Sequence, residues 1–317
     1  MNAPSTPATS DSQESSFTEL QVIGKLGSSR ATVYLVHSRA HNKDFAMKLF
    51  PYEDDQISYT YLIESRFRSL SHPNIVNIVH TQDKKPSIHQ GRKFNASLII
   101  MEVASFGSFT RLFKVLDTAH DEVLTRTFFH HLIEGLEYIH ANGVCHMDLK
   151  LDNLLLDENL RLKISDFDSS YKRGDSTICS RGTRNYRAPE VLNETCNDPE
   201  AADIYSAGII LFVMMTGCFP YKEEDKGQLS ALLDLLKEES PAFWDMHAKL
   251  SKNKIYLSED FKILFFSMVK QDSVERATIE DIKKIRWYQG PIYSEKDLKE
   301  NFLPFLKRYE MTTAHKQ

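Results

Sequence analysis

The chain has 317 residues, 41% hydrophobic and 26% charged, with a formal net charge of −5. That balance suits a globular protein with a real core, and the acidic excess removes any general electrostatic reason to bind nucleic acid or an anionic membrane. Four cysteines (Cys145, Cys179, Cys196, Cys218) stand far apart, with no CxxC pair and no metal-ligand spacing. They read as reduced thiols of a cytoplasmic protein, with a nuclear one also open. No charged-then-apolar leader is visible, and Asn2 stands where myristoylation needs glycine. The sequons at Asn95 and Asn193 then carry no weight. The longest apolar run, Ile204 to Met215, has about 12 residues and is too short to span a bilayer.

In chain order, residues 1–16 are rich in Ser, Thr, Pro and Asn without an apolar period and read as a disordered tail. Strand-like segments follow at Phe17–Lys25, Thr32–His37 and Asp44–Phe50. A helical pattern over about 55–70 is stopped by His72-Pro73. Ile75–His80 and Ala96–Val103 read as two more strands flanking a polar segment, Thr81–Asn95, whose Lys84, Lys85, Arg92 and Lys93 suit a solvated hairpin insertion.

After Val103 the pattern turns helical, with amphipathic spacing over Ser108–Leu116 and Glu122–Ala141. Short strands are expected at Val144–His146, Leu154–Leu156 and Leu162–Ile164. A polar stretch runs from Asp168 to Thr183. Asp203–Thr216 is apolar nearly all round, as a buried central helix is. Strands first and helices after imply two lobes in an α+β arrangement.

The chemistry sits around His146–Asn153, H-M-D-L-K-L-D-N, which groups an acid, a cation and an amide. Lys48 ends an early strand in F-A-M-K, Asp166-Phe167 follows the loop, and G-T-R-N-Y-R-A-P-E runs to Glu190. Each is weak alone. Their shared order and spacing are specific, and in them the chain resembles the protein kinase superfamily over about residues 17–288. The resemblance implies a bilobal fold: a small antiparallel β-sheet lobe with one helix (17–103), and a larger mainly helical lobe (104–288). Residues 289–317 remain as a C-terminal tail.

It also implies roles. Phosphoryl transfer needs positioning and charge neutralisation more than covalent chemistry. Asp148 matches the carboxylate that accepts the substrate hydroxyl's proton, and Lys150 the cation beside the transferring phosphoryl. Asn153 and Asp166 match the hard oxygen ligands of Mg²⁺, and Lys48 the lysine that grips the ATP phosphates. Gly27 begins the phosphate-covering turn; Val33 and Ala46 lie over adenine and Leu155 beneath it. Met101 backs that pocket, and Glu102 and Ala104 belong to the segment whose backbone bonds adenine. D-L-K at Lys150 and G-T at Thr183 match the serine/threonine branch, so the implied partners are ATP and protein substrates. Glu190 and Arg276 match a structural ion pair, and Asp203 a carboxylate that holds the catalytic loop's backbone. The late E-R-A-T-I-E-D-I segment looks most like the calcium/calmodulin-dependent and related groups. After Gly290, K-D-L-K-E-N-F-L-P-F-L-K-R-Y suits either a regulatory helix or one packed on the large lobe, with Pro304 expected to interrupt it.

Four departures from the family pattern stand out. L-G-S-S-R-A-T-V keeps Gly27 but has Ser or Thr where further glycines are expected. Glu64 is the acid that could pair with Lys48, yet the position of Phe67 would put Ile63 at that site, a rotation of about 100° on a helix. Met147 replaces the arginine that receives an activation-loop phosphate, and Cys179 stands at the usual phosphosite. D-F-D replaces D-F-G, which is expected to place Asp168 at positive φ and so disfavour a flip of Asp166-Phe167. The poor glycine loop and the ambiguous glutamate keep open a second function, a kinase fold used as a nucleotide-binding or scaffolding module.

Overall fold

Hydrophobic alternation and helix caps account for most of the architecture. The computed structural model describes residues 17, 19–28, 31–52, 56–89, 92–116, 121–176, 182–221, 228–250 and 257–314; the expected tail at 1–16 and Cys179 lie outside them. Contacts divide the chain into two units: residues through Ser69 with Asn77–Val103, and Leu70–Val76 with residues from Ala104 onward. The chain thus changes unit after Val103, and Leu70–Val76 belongs with the helical unit.

The first unit is a five-stranded antiparallel sheet of order β1-β2-β3-β5-β4. Its strands are β1 (Leu20–Ser28), β2 (Thr32–Ser38), β3 (Lys43–Pro51), β4 (Ile78–His89) and β5 (Arg92–Met101), with one helix, α1 (Tyr59–Ser65). Phe17, Val36, Phe45, Leu98 and Ile100 form a buried cluster on one side. Phe17 lies before the first strand, stacked between His41 and His80 with ring centroids 4.5 and 5.1 Å away. The polar segment Thr81–Asn95 is largely strand, because β4 and β5 keep pairing out to His89 opposite Arg92. Polar composition hid this, because apolar alternation is the signal by which a strand is read from sequence.

The second unit contains β6 (Gly107–Ser108), α2 (Phe109–Leu116), α3 (Glu122–Ala141), β7 (Val144–Cys145), β8 (Leu154–Leu156), β9 (Leu162–Ile164), β10 (Tyr171–Lys172), α4 (Pro189–Leu192), α5 (Pro199–Thr216), α6 (Gln228–Lys237), α7 (Ala242–Leu250), α8 (Glu259–Met268), α9 (Ile279–Lys284) and α10 (Glu295–Ala314). Asp121 caps α3 by accepting Leu124 N at 2.8 Å. Asp198 caps α5, Pro199 follows at its first turn, and Gly217 ends it in the left-handed conformation at φ 73°. Every residue of α5 from Ala201 to Thr216 is buried. This helix is long and apolar enough to cross a membrane by composition, but 83% of it is buried in the protein. Helix α3 packs against β7 and β9, strands before and after the loop that carries Asp148.

Pro304 does not interrupt the last helix. α10 runs from Glu295 to Ala314 through it. Proline removes one N–H and crowds the carbonyl four residues back, but buried Leu298 and Leu306 anchor the helix on either side, and Glu295 pairs with Arg161 at 2.6 Å. Tertiary packing outweighs the local break.

Candidate functional site

Strand register gathers half of the site. In β1–β3, Gly27 lies opposite Val33 and Val33 opposite Lys48; Ala46 lies opposite Met101 on β5. Directly opposed residues and residues two apart share a sheet face. Gly27, Val33, Ala46, Lys48 and Met101 therefore line one face, opposite to the one that buries Val36, Phe45, Leu98 and Ile100. Helix α1 answers the glutamate question. Lys48 Nζ donates to Glu64 Oε2 at 2.7 Å, with both side chains buried, while Ile63 is simply a core residue. Just past β5, Glu102 is held on Asn77: its N–H donates to Asn77 O at 3.1 Å, and its Oε1 accepts Asn77 N at 2.7 Å.

In the helical unit the loop after β7 converges on Asp148, which is 6% exposed. Its Oδ1 accepts Thr183 N at 2.8 Å and its Oδ2 accepts Lys150 Nζ at 2.8 Å. The same ammonium donates to Thr183 Oγ1 at 3.0 Å. Both carboxylate oxygens are thus oriented by donors. Asn153 Nδ2 donates to the Asp148 carbonyl at 2.8 Å, and its amide oxygen is the side chain's accepting atom. Asp166 sits between β9 and Phe167 in the left-handed region at φ 64°. Asn153 and Asp166 offer an amide and a carboxylate oxygen, the hard donors a Mg²⁺ ion takes. Leu155 is on β8, opposite Lys163 and Ser108. The Ala104 carbonyl accepts Gly107 N at 2.9 Å in the turn into β6.

Three supports around this loop were not legible as such. His146 Nδ1 accepts Asp148 N at 3.3 Å, so its Nε2 carries the proton and donates to the Ser165 carbonyl at 2.9 Å. Thr183, noted only as a mark of acceptor class, is a structural partner of both Asp148 and Lys150. Ser165 Oγ donates to Asn153 O at 2.9 Å and ties β9 to the loop. The histidine two residues before the acid was the available signal. Asp203, five residues into α5, accepts His146 N at 2.7 Å, Met147 N at 2.9 Å and pairs with His140 at 3.0 Å. It is a buried clamp on the loop, not a helix cap. Cys145 lies beside His140 and Asp203, but burial pushes its thiol far up, the wrong state for a metal ligand.

Two backbone findings revise the expectations. Around the site, Met147 and Asp166 have positive φ, both 64°, and Asp168 is not in that region. The strain expected at Asp168 is therefore absent; its buried carboxylate accepts Ser169 Oγ at 2.9 Å. Gly182 has φ +127°, and a Cβ there would stand 2.9 Å from Met147 O and 3.1 Å from Asp148 Oδ1. Gly182→Ala is expected to displace the Asp148 carboxylate and lower turnover by about a hundredfold while the protein still folds, checked by steady-state kinetics beside a melting curve.

With this geometry in place, the comparisons agree. A model of the protein kinase domain matches residues 17–288, and the chain belongs to the protein kinase family. It is 34% identical over 232 residues to CBL-interacting protein kinase 26 of Oryza sativa subsp. japonica, covering 71% of this chain and 42% of that protein. It is 34% identical over 230 residues to serine/threonine-protein kinase SRK2A of Arabidopsis thaliana, covering 70% and 57%. It is also 39% identical over 180 residues to probable serine/threonine-protein kinase MARK-B of Dictyostelium discoideum, covering 56% and 24%. The chain thus spans about half or less of most of these relatives' length.

Proposed function

We propose that this chain transfers the γ-phosphoryl group of ATP, with Mg²⁺, to serine or threonine hydroxyls of protein substrates. The observation that carries the reading is the Asp148–Lys150–Thr183 constellation, a carboxylate fixed on both oxygens with a cation bridging to a threonine. Family membership and the names of the relatives support it.

In this reading Asp148 orients the acceptor hydroxyl and takes its proton, and Lys150 balances charge on the transferring group. Asn153 and Asp166 would hold the Mg²⁺, which neutralises phosphate charge when bound. Lys48, kept in place by Glu64, binds the α- and β-phosphates. Gly27, Val33, Ala46, Met101 and Glu102 on the first unit, and Ala104 and Leu155 on the second, stand at the family's nucleotide-binding positions. The scaffold alternative loses one of its two supports, because Glu64 does pair with Lys48; the other, the loop at Ser29 and Arg30, lies outside the described residues. ATP-dependent incorporation of phosphate into a peptide library tests activity and acceptor preference together. No incorporation into any peptide overturns the assignment.

Regulation follows from Met147. Its side chain is buried and uncharged and its N–H is held by Asp203, so the loop offers no cation at this position to a phosphate. Exhaustive phosphatase treatment is expected to leave turnover unchanged. A loss that returns on rephosphorylation refutes the prediction.

A further inference from the structure

Cys218 follows Gly217, the residue that ends α5, and is exposed. Its sulfur lies 3.7 Å from Nε2 of His247 on α7. That imidazole is only 6% exposed. Uncharged rings face it, Phe212 edge-on at 4.8 Å and Phe243 tilted at 5.9 Å. Burial lowers its pKa, and a bond to the Phe219 backbone partly opposes this. Nε2 is the ring nitrogen that faces the sulfur, and burial favours the neutral ring, whose unprotonated nitrogen is a base. A nucleophile and a base within reach of each other are the parts of an activated thiol. The Thr216 carbonyl at 3.7 Å and its Oγ1 at 3.6 Å also accept from the thiol, and the proton leaves as the sulfur attacks.

We propose that Cys218 and His247 form a nucleophilic dyad at which hydrogen peroxide oxidises this protein. The sulfur attacks one peroxide oxygen while its proton passes to His247 Nε2. The S–O bond forms, the O–O bond breaks, and the departing hydroxide recovers the proton and leaves as water. Sulfur gives two electrons to the peroxide, and the product is a sulfenic acid. The other described cysteines lack these features: Cys145 is buried, and burial pushes the Cys196 thiol up to about 11. Phe219, the residue after Cys218, packs edge-on against Tyr186 at 5.1 Å. The dyad therefore adjoins the segment that carries Thr183.

The test is alkylation of the intact chain by iodoacetamide across pH 6–9, each cysteine peptide followed by mass spectrometry against N-acetylcysteine. Below pH 8, Cys218 is expected to react about tenfold faster than the free thiol, with a rate that falls less than tenfold per pH unit. His247→Gln is expected to reduce the Cys218 rate about fivefold and leave Cys196 unchanged. Peroxide followed by dimedone is expected to label Cys218 first. A Cys218 rate that tracks N-acetylcysteine at every pH overturns the dyad, as does an unchanged rate in a folded His247→Gln protein. Absence of the dimedone adduct overturns the peroxide assignment. Where His247→Gln does not fold, the pH profile of the unaltered chain decides.

Discussion

Asp148→Asn is expected to lower turnover by about 10²- to 10⁴-fold, the range that a positioned general base supplies, while the KM for ATP stays close to that of the unaltered chain. Asn keeps one accepting oxygen. If it faces Thr183 N, as Oδ1 does at 2.8 Å, the new NH₂ points at the Lys150 ammonium, where Oδ2 had accepted a bond of 2.8 Å. Two donors then face each other, and Lys150 retains only Thr183 Oγ1. The substitution removes the proposed proton acceptor and loosens the cation at once, yet the loop keeps its clamp on Asp203. A melting curve beside the kinetics separates chemistry from folding. Turnover unchanged in the variant would remove Asp148 from the mechanism.

The second large effect is on stability. The Arg276 side chain is fully buried and makes a fork with Glu190, Nη1 to Oε1 at 2.6 Å and Nη2 to Oε2 at 3.1 Å. It also donates to the carbonyls of Ala201 and Lys270 and lies over the Tyr205 ring at 5.1 Å. Removing one member of such a pair strands the other, which costs about 3–5 kcal/mol. Glu190→Gln and Arg276→Ala are each expected to lower the melting midpoint by roughly 10 °C. Lysine at 276 cannot supply two parallel donors and should rescue little. The double variant should cost clearly less than the sum of the singles, because the second change removes a charge already unpaired. Additive losses would show that the two side chains act independently.

Legibility in the sequence followed the range of the interaction. Leu154–Leu156, Leu162–Ile164 and Glu122–Ala141 have their observed bounds because local alternation, helical spacing and an Asp cap define them. The alignment of Val33, Ala46 and Lys48 on one face was implicit in strand periodicity. The arm of β4 and β5 beyond Gln82 was harder, since its polar residues carry no facing signal. Pro304 misled because its local cost is real, and only buried Leu298 and Leu306 reveal what offsets it.

The sequence by itself determined the family, the two-part strand-then-helix order and which residues, Lys48, Asp148, Lys150, Asn153 and Asp166, stand at the family's motif positions. Type and spacing along one chain suffice to specify those. The tertiary structure alone decided that Glu64 rather than Ile63 meets Lys48, that left-handed backbone belongs to Met147 and Asp166 rather than Asp168, and that Cys218 meets His247 at a sequence separation of 29. Each of these depends on how one element is rotated against another. A single residue's turn on a helix, or one backbone torsion, reverses the outcome without changing the pattern of polar and apolar residues.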